Sequence, residues 1–158
     1  MSGRHIVLIA LGVWCGSALS SAPLGGSKQD AAARPATRTV WEGIYTEEQA
    51  LRGQELYDVF CVNCHGTDMQ GQGVDVPALA DQRFAKRWDG RTIKDLFELM
   101  GQTMPEDRPG SLSQEAYSDL LSYILQVNGF PAGLTDLGHE AESLARVVFH
   151  RTAPASQQ

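Results

Sequence analysis

The stretch that most restricts how this chain can fold is FCVNCHGTDM, residues 60–69. Two cysteines, a histidine and a methionine crowd into it, so whatever they hold must sit inside or against the core. Three occupants suit such a cluster: a zinc ion, a redox-active dithiol, or iron. A structural zinc requires four closed ligands. Beyond the cluster and an N-terminal leader the chain offers only His139 and His150, in what reads as a tail. A thioredoxin-like dithiol belongs in a βαβ setting with a strand before the motif, and here an amphipathic helix leads in.

The remaining reading fits the spacing. Cys61-Val62-Asn63-Cys64-His65 is a C-x-x-C-H sequence, the attachment signal for c-type haem. On a helix, positions three and four residues beyond Cys61 lie on the same side as it, so Cys61, Cys64 and His65 project together. A porphyrin joined to the two sulfurs would be held along one edge, with the histidine beneath the iron.

The third cysteine, Cys15, is set apart by its surroundings. Residues 1–20 carry one basic residue, Arg4, then the apolar run IVLIALGVWC and the small residues Ser17-Ala18-Leu19-Ser20. This is the pattern of a secretory signal peptide cleaved after Ser20. The run is shorter than the ~20 residues that span a bilayer, so no stable membrane span is expected once it is removed. The compartment implied is the periplasm.

The 158-residue chain has a formal net charge of −6, and loss of Arg4 with the leader makes it one unit more negative. Such a chain has no sequence-independent attraction to nucleic acid or anionic membrane. Residues 21–40 are rich in Ser, Gly, Ala, Pro and Arg and poor in large apolar side chains, the composition of a flexible linker. Order is expected from about Trp41.

The pattern beyond that point predicts an all-α domain with three main helices and long loops. Thr46 and Gln49 form a capping box, opening a helix with Ala50, Gly53, Leu56, Tyr57 and Phe60 at spacings of three and four. A second is expected over Thr92–Met100, with Ile93, Leu96, Phe97 and Met100 on one face. The third starts at Ser113, ends at Gly129, and carries an apolar stripe of Tyr117, Leu120, Leu121, Ile124 and Leu125. Gly53 and Tyr57 are expected to face Tyr117 and Leu121 where the first and third helices cross. Between the first two helices the segment GQGVDVPALADQRFAKRWDG reads as a long irregular loop, a length that calls for something to surround. Leu134 to Gln158 reads as an extension that wraps the domain or contacts a partner, with His139 and His150 solvated.

Taken together, the blocks YTEEQALRGQELY, CVNCHG, PALA, FAKRWDGRTIKDLF, TMPEDRPGSLS and YSDLLSYILQVNGFPAG resemble a small monohaem class I c-type cytochrome, over about residues 41–133. The likeness is greatest to bacterial periplasmic cytochromes that accompany quinoprotein (PQQ-dependent) dehydrogenases. It implies one haem c attached through Cys61 and Cys64, with His65 as one axial ligand. The second ligand is expected from Met104, which stands before Pro105 in a loop, as in the family's Met-Pro motif; a gap-filling buried methionine is the alternative. Met69 lies on the same side of the ring as His65 and reads as a loop or surface residue, and Met100 as core.

The resemblance also places the Pro77 carbonyl on the second nitrogen of His65 and packs Leu79 on the ring. Val76, where many relatives have glycine, departs from the pattern. Trp88 and Arg91, with Arg87, are candidates for holding the propionates, since indole N–H and guanidinium groups donate to carboxylates; the other reading of these cations is a solvated face. No acid, base or nucleophile constellation accompanies the motif. The function expected is therefore a carrier that takes single electrons from a periplasmic dehydrogenase and passes them to a cytochrome or terminal oxidase. A permanently bound haem subunit of a quinoprotein dehydrogenase, and a haem sensor with an open distal site, are the alternatives.

Overall fold

A computed structural model of the chain describes residues 37–72 and 75–155. The leader expected at residues 1–20, and the linker up to residue 36, lie outside the described residues. The described elements, in chain order, are β1 (Arg38–Thr39), a 3-10 turn (Val40–Glu42), α1 (Glu47–Phe60), α2 (Val62–His65), α3 (Asp81–Trp88), α4 (Ile93–Thr103), α5 (Gln114–Val127), α6 (Ala141–Leu144) and β2 (Val147–Val148). The architecture is all-α apart from one two-residue strand pair.

Helices α1 and α5 form the central crossing. A β-carbon at position 53 would stand 1.9 Å from the Asp119 carbonyl oxygen and 2.9 Å from Tyr123 Cβ, so the two backbones approach this closely only because residue 53 is glycine. The partner of Tyr57 across the crossing is Tyr123, with ring centroids 5.5 Å apart, rather than Tyr117. Tyr117 turns towards α4, 6.3 Å from the Phe97 ring. Leu121 is fully buried. The buried part of α5 also takes in Ser118 and Ser122, a wider band than the sequence stripe. Their hydroxyls are satisfied by the carbonyls of Gly138 and Ser118, so their burial leaves no polar group unpaired.

Three boundaries differ from the sequence expectation. Strand β1 starts at Arg38, within the stretch read as linker, and Val40 is fully buried. The second main helix runs on to Thr103, where Met104 adopts the extended backbone (φ −125°, ψ 151°) that a following proline favours. The stretch read as one irregular loop contains α3, whose first cap, Ala80, has no side-chain acceptor. Its buried positions reduce to Phe84 and Trp88, too few for a periodic signal.

Capping follows the sequence in part. Thr92 and Asp95 form a reciprocal box at α4, and Ser113 caps α5. At α1, Thr46 accepts from the Gln49 amide, but the Gln49 side chain does not return to Thr46. It is buried and pairs with the Leu137 backbone in both directions, Nε2 donating to the carbonyl at 3.0 Å and Oε1 accepting from the amide at 2.6 Å.

That contact belongs to a C-terminal strap. Leu137, Leu144, Val147 and Phe149 are all buried. Phe149 stacks edge-on against Phe130 (4.9 Å) and Phe84 (5.7 Å), and its backbone is fixed by Gly90 N–H to its carbonyl and by its own N–H to the Arg91 carbonyl, both 2.8 Å. β2 runs parallel to β1, with Arg38 opposite Val147 and Thr39 opposite Val148. The Trp41 indole donates to the His150 carbonyl at 2.7 Å.

Candidate functional site

Helix α1 stops at Phe60 and the chain restarts at once as the short turn α2. The amides of Cys64 and His65 donate to the Cys61 carbonyl at 3.2 and 2.9 Å, which winds the three motif residues into a single turn. Both cysteines are free thiols, Cys61 half-buried and Cys64 exposed. Burial, and after it the neighbouring Cys64, pushes the Cys61 thiol up to about 11.

His65 is buried, and its Nδ1 lies 3.1 Å from the Pro77 carbonyl oxygen. Burial holds the ring below the usual imidazole range, against the opposing pull of the Pro77 bond. A neutral ring with Nδ1–H engaged by a carbonyl has Nε2 left as a lone-pair donor, the arrangement typical of a metal-bound histidine. Among the described residues no three His, Cys, Asp or Glu side chains converge as a metal-binding group, so a zinc-like donor set is missing.

Pro77 reaches His65 through the loop that follows the motif. The Gly71 amide donates to the His65 carbonyl at 2.9 Å and the Leu79 amide to the Met69 carbonyl at 2.8 Å. A β-carbon at residue 71 would meet the Val76 carbonyl oxygen at 2.1 Å, so glycine there lets the returning strand of the loop lie against the outgoing one. Leu79 is half-buried against the core, and its carbonyl accepts from Asn128 Nδ2 at 2.9 Å. Met69 is 1 % exposed. It sits in the loop as expected but not at the surface, because its side chain turns into the core.

Met104 ends α4. Its amide donates to the Met100 carbonyl at 2.8 Å and its carbonyl accepts from the Tyr117 hydroxyl at 2.6 Å. Helices α4 and α5 thus both hold its backbone, while two turns, Pro105 to Arg108 and Arg108 to Ser111, carry the chain away. Met100 packs against the core.

Trp88 closes α3 and is buried. The Arg87 and Arg91 guanidinium carbons lie 5.9 and 5.6 Å from its ring centroid, within cation–π range. A buried ring flanked by two exposed guanidinium groups suits carboxylate groups.

The chemistry of the site fits haem c. Two free thiols on one turn, a neutral histidine with one nitrogen engaged, a half-buried thioether and an indole N–H are the groups that such a porphyrin would use. The residues missed at sequence level are Tyr117 and Asn128, which hold the backbones of Met104 and Leu79. A hydroxyl on the apolar stripe was the only signal for Tyr117. His139 and His150 take no part: His139 Nε2 lies 3.7 Å from the Glu115 and Glu140 carboxylates and His150 Nδ1 3.9 Å from Asp89.

Comparison with known proteins points the same way. Residues 48–124 match the model of a family described as cytochrome c oxidase, cbb3-type, subunit III. The chain is 36% identical over 64 residues to cytochrome c-551 of Bacillus subtilis (strain 168), an alignment covering 40% of this chain and 54% of that protein. The chain therefore spans about half the length of the curated relative it matches. No solved structure matches it.

Proposed function

We propose that this monohaem c-type cytochrome domain works outside the cytoplasm as a shuttle, accepting single electrons from a dehydrogenase and delivering them to a cytochrome or terminal oxidase. A domain of this kind is an electron carrier and not an enzyme, and its haem c is bound covalently. The observation that carries the proposal is the single turn Cys61–His65, with its buried histidine ring held by Pro77. No catalytic constellation accompanies it in the sequence.

Bound haem c supplies reversible one-electron exchange between ferric and ferrous iron. The chain's own residues set the conditions for it. Cys61 and Cys64 would anchor the group, and His65 and Met104 would fill its axial positions. Burial keeps the His65 ring neutral and the Pro77 carbonyl orients it, and a hydrogen-bonded imidazole is a stronger donor to the metal. The Met104 thioether, as a ligand, would raise the potential relative to harder ligands. Leu79 would pack on the ring, while Trp88, Arg87 and Arg91 would donate to the propionates. With His65 and Met104 both held by the protein, these residues would not need to rearrange between the two oxidation states of a bound haem.

The test of the axial pair is spectroscopy of the haem-loaded protein with and without Met104→Ala. Wild type is expected to be low-spin, with a sulfur-to-iron charge-transfer band and ferrous protein that resists carbon monoxide. An unchanged spectrum in the variant removes Met104 from the site.

The oxidase description of the matching family favours a second reading, in which the domain is a resident haem subunit of a larger complex, whether an oxidase or a quinoprotein dehydrogenase. The periplasmic leader and a quinoprotein donor rest on the sequence pattern alone. Stoichiometric co-purification with an oxidase or dehydrogenase supports the subunit; a free protein that exchanges electrons in solution with a quinoprotein dehydrogenase supports the shuttle.

A further inference from the structure

We propose that Met69 is a positioning residue for His65: its buried side chain pins the loop that presents the Pro77 carbonyl to the ring. The inference rests on the reading of His65 as the axial ligand, but its own observations are separate. Met69 has φ +58°, in the left-handed region that a β-carbon disfavours and glycine adopts freely. A methionine holds this conformation with its side chain 1 % exposed, so burial of the side chain offsets the backbone preference.

The backbone at Met69 joins both arms of the loop. Its amide donates to the Gly66 carbonyl at 3.3 Å, directly after the motif, and its carbonyl accepts from Leu79 N–H at 2.8 Å, two residues beyond Pro77. Between these, Gly71 contacts the Val76–Pro77 backbone and returns a hydrogen bond to the His65 carbonyl. The loop is therefore closed on itself around His65, and Met69 is the member of that closure with a large side chain sunk in the core. Lose the anchor, and the Leu79 bond, and with it the placement of Pro77, loses its fixed point.

Two substitutions separate a side-chain anchor from a mere turn. Glycine is the favoured residue at φ +58°, so if the backbone turn alone mattered, Met69→Gly would leave the loop as tight or tighter. The anchor predicts the reverse: in haem-loaded Met69→Gly, the Leu79 amide and the His65 ring N–H exchange roughly tenfold faster or more, and the reduction potential rises because a weaker hydrogen bond makes His65 a poorer donor. Met69→Leu, which keeps an apolar chain of similar size, is expected to stay near wild type in both readouts.

Leu144→Ala in the strap controls for general loosening, with lower stability and unmoved potential. Unchanged exchange and potential in Met69→Gly, or an equal shift in Leu144→Ala, overturns the proposal. The exchange readouts do not depend on which group lies opposite His65, so a wrong Met104 assignment shows in the spectrum and a wrong Met69 assignment in the exchange.

Discussion

At position 53 one methyl group decides whether the two longest helices can cross as they do. Alanine there would place Cβ 1.9 Å from a main-chain oxygen of α5, and backbone cannot step aside as a flexible side chain can. Gly53→Ala is expected to destabilise the protein by about 2 kcal/mol or more, in the range of overpacked cores, read as a lower midpoint in urea unfolding. Substitution at Gly90, where a new Cβ meets nothing within 4 Å, would be strained only by its positive φ.

At this scale the local geometry of the motif was legible because its spacing is that of one helical turn. The turn of Cys61, Cys64 and His65 follows from the motif, and Gly53 from its place on the helical face. Met69 was not legible as buried, since nothing in its neighbours reveals that a side chain at positive φ turns inward. Tyr117 was misassigned because an apolar stripe says that a residue is covered without saying by which element. Its hydroxyl found the Met104 carbonyl on α4, a bond between residues whose proximity only the loop path creates.

At the scale of elements, α4 shows how capping connects to pH. The Asp95 carboxylate accepts from the Thr92 amide at 2.9 Å and from the Thr92 hydroxyl at 2.8 Å, and these bonds, the amide first, hold it below its ordinary value of 3.8. A depressed carboxylate contributes stability that is fully present above its unfolded value and is lost as pH falls through the folded one. The helix should therefore weaken below about pH 3.8, and Asp95→Asn should flatten that limb of the melting temperature against pH. Thr92→Ala removes the cap at neutral pH as well, at about 1 kcal/mol.

The other helices divide by the strength of their signals. α5, capped by Ser113 and followed by Gly129 at φ +79°, was visible from both ends. α3 was not, since it has no side-chain cap and owes its existence to Phe84 and Trp88 packing beneath the strap. Likewise, the apparent capping box at Thr46 was half wrong because a buried glutamine pairs with both polar groups of Leu137 instead of returning to the Thr46 amide.

For the molecule as a whole, the strap is held by apolar side chains rather than by charge. The ion pairs along it, Arg52 with Asp136 and Arg151 with Asp89, are half exposed, and such pairs contribute about 0–1 kcal/mol. Phe149, 1 % exposed between Phe84 and Phe130, should matter more: Phe149→Ala is expected to destabilise by about 3–5 kcal/mol. High salt should leave the strap in place, whereas Phe149→Ala should open it, read as faster proteolysis after residue 134 with the α1–α5 crossing still protected.

The short pairing of β1 with β2 also has a mechanical side. Because the two strands run parallel, the incoming end of β1 and the outgoing end of β2 point in opposite directions along the pair. Tension applied to the chain on either side of the domain would draw the strands past each other and load their hydrogen bonds together in shear, instead of opening them one at a time like a zip. A clamp of this kind, with Phe149 wedged directly behind it, would let the domain be held by its two ends without the pull reaching His65.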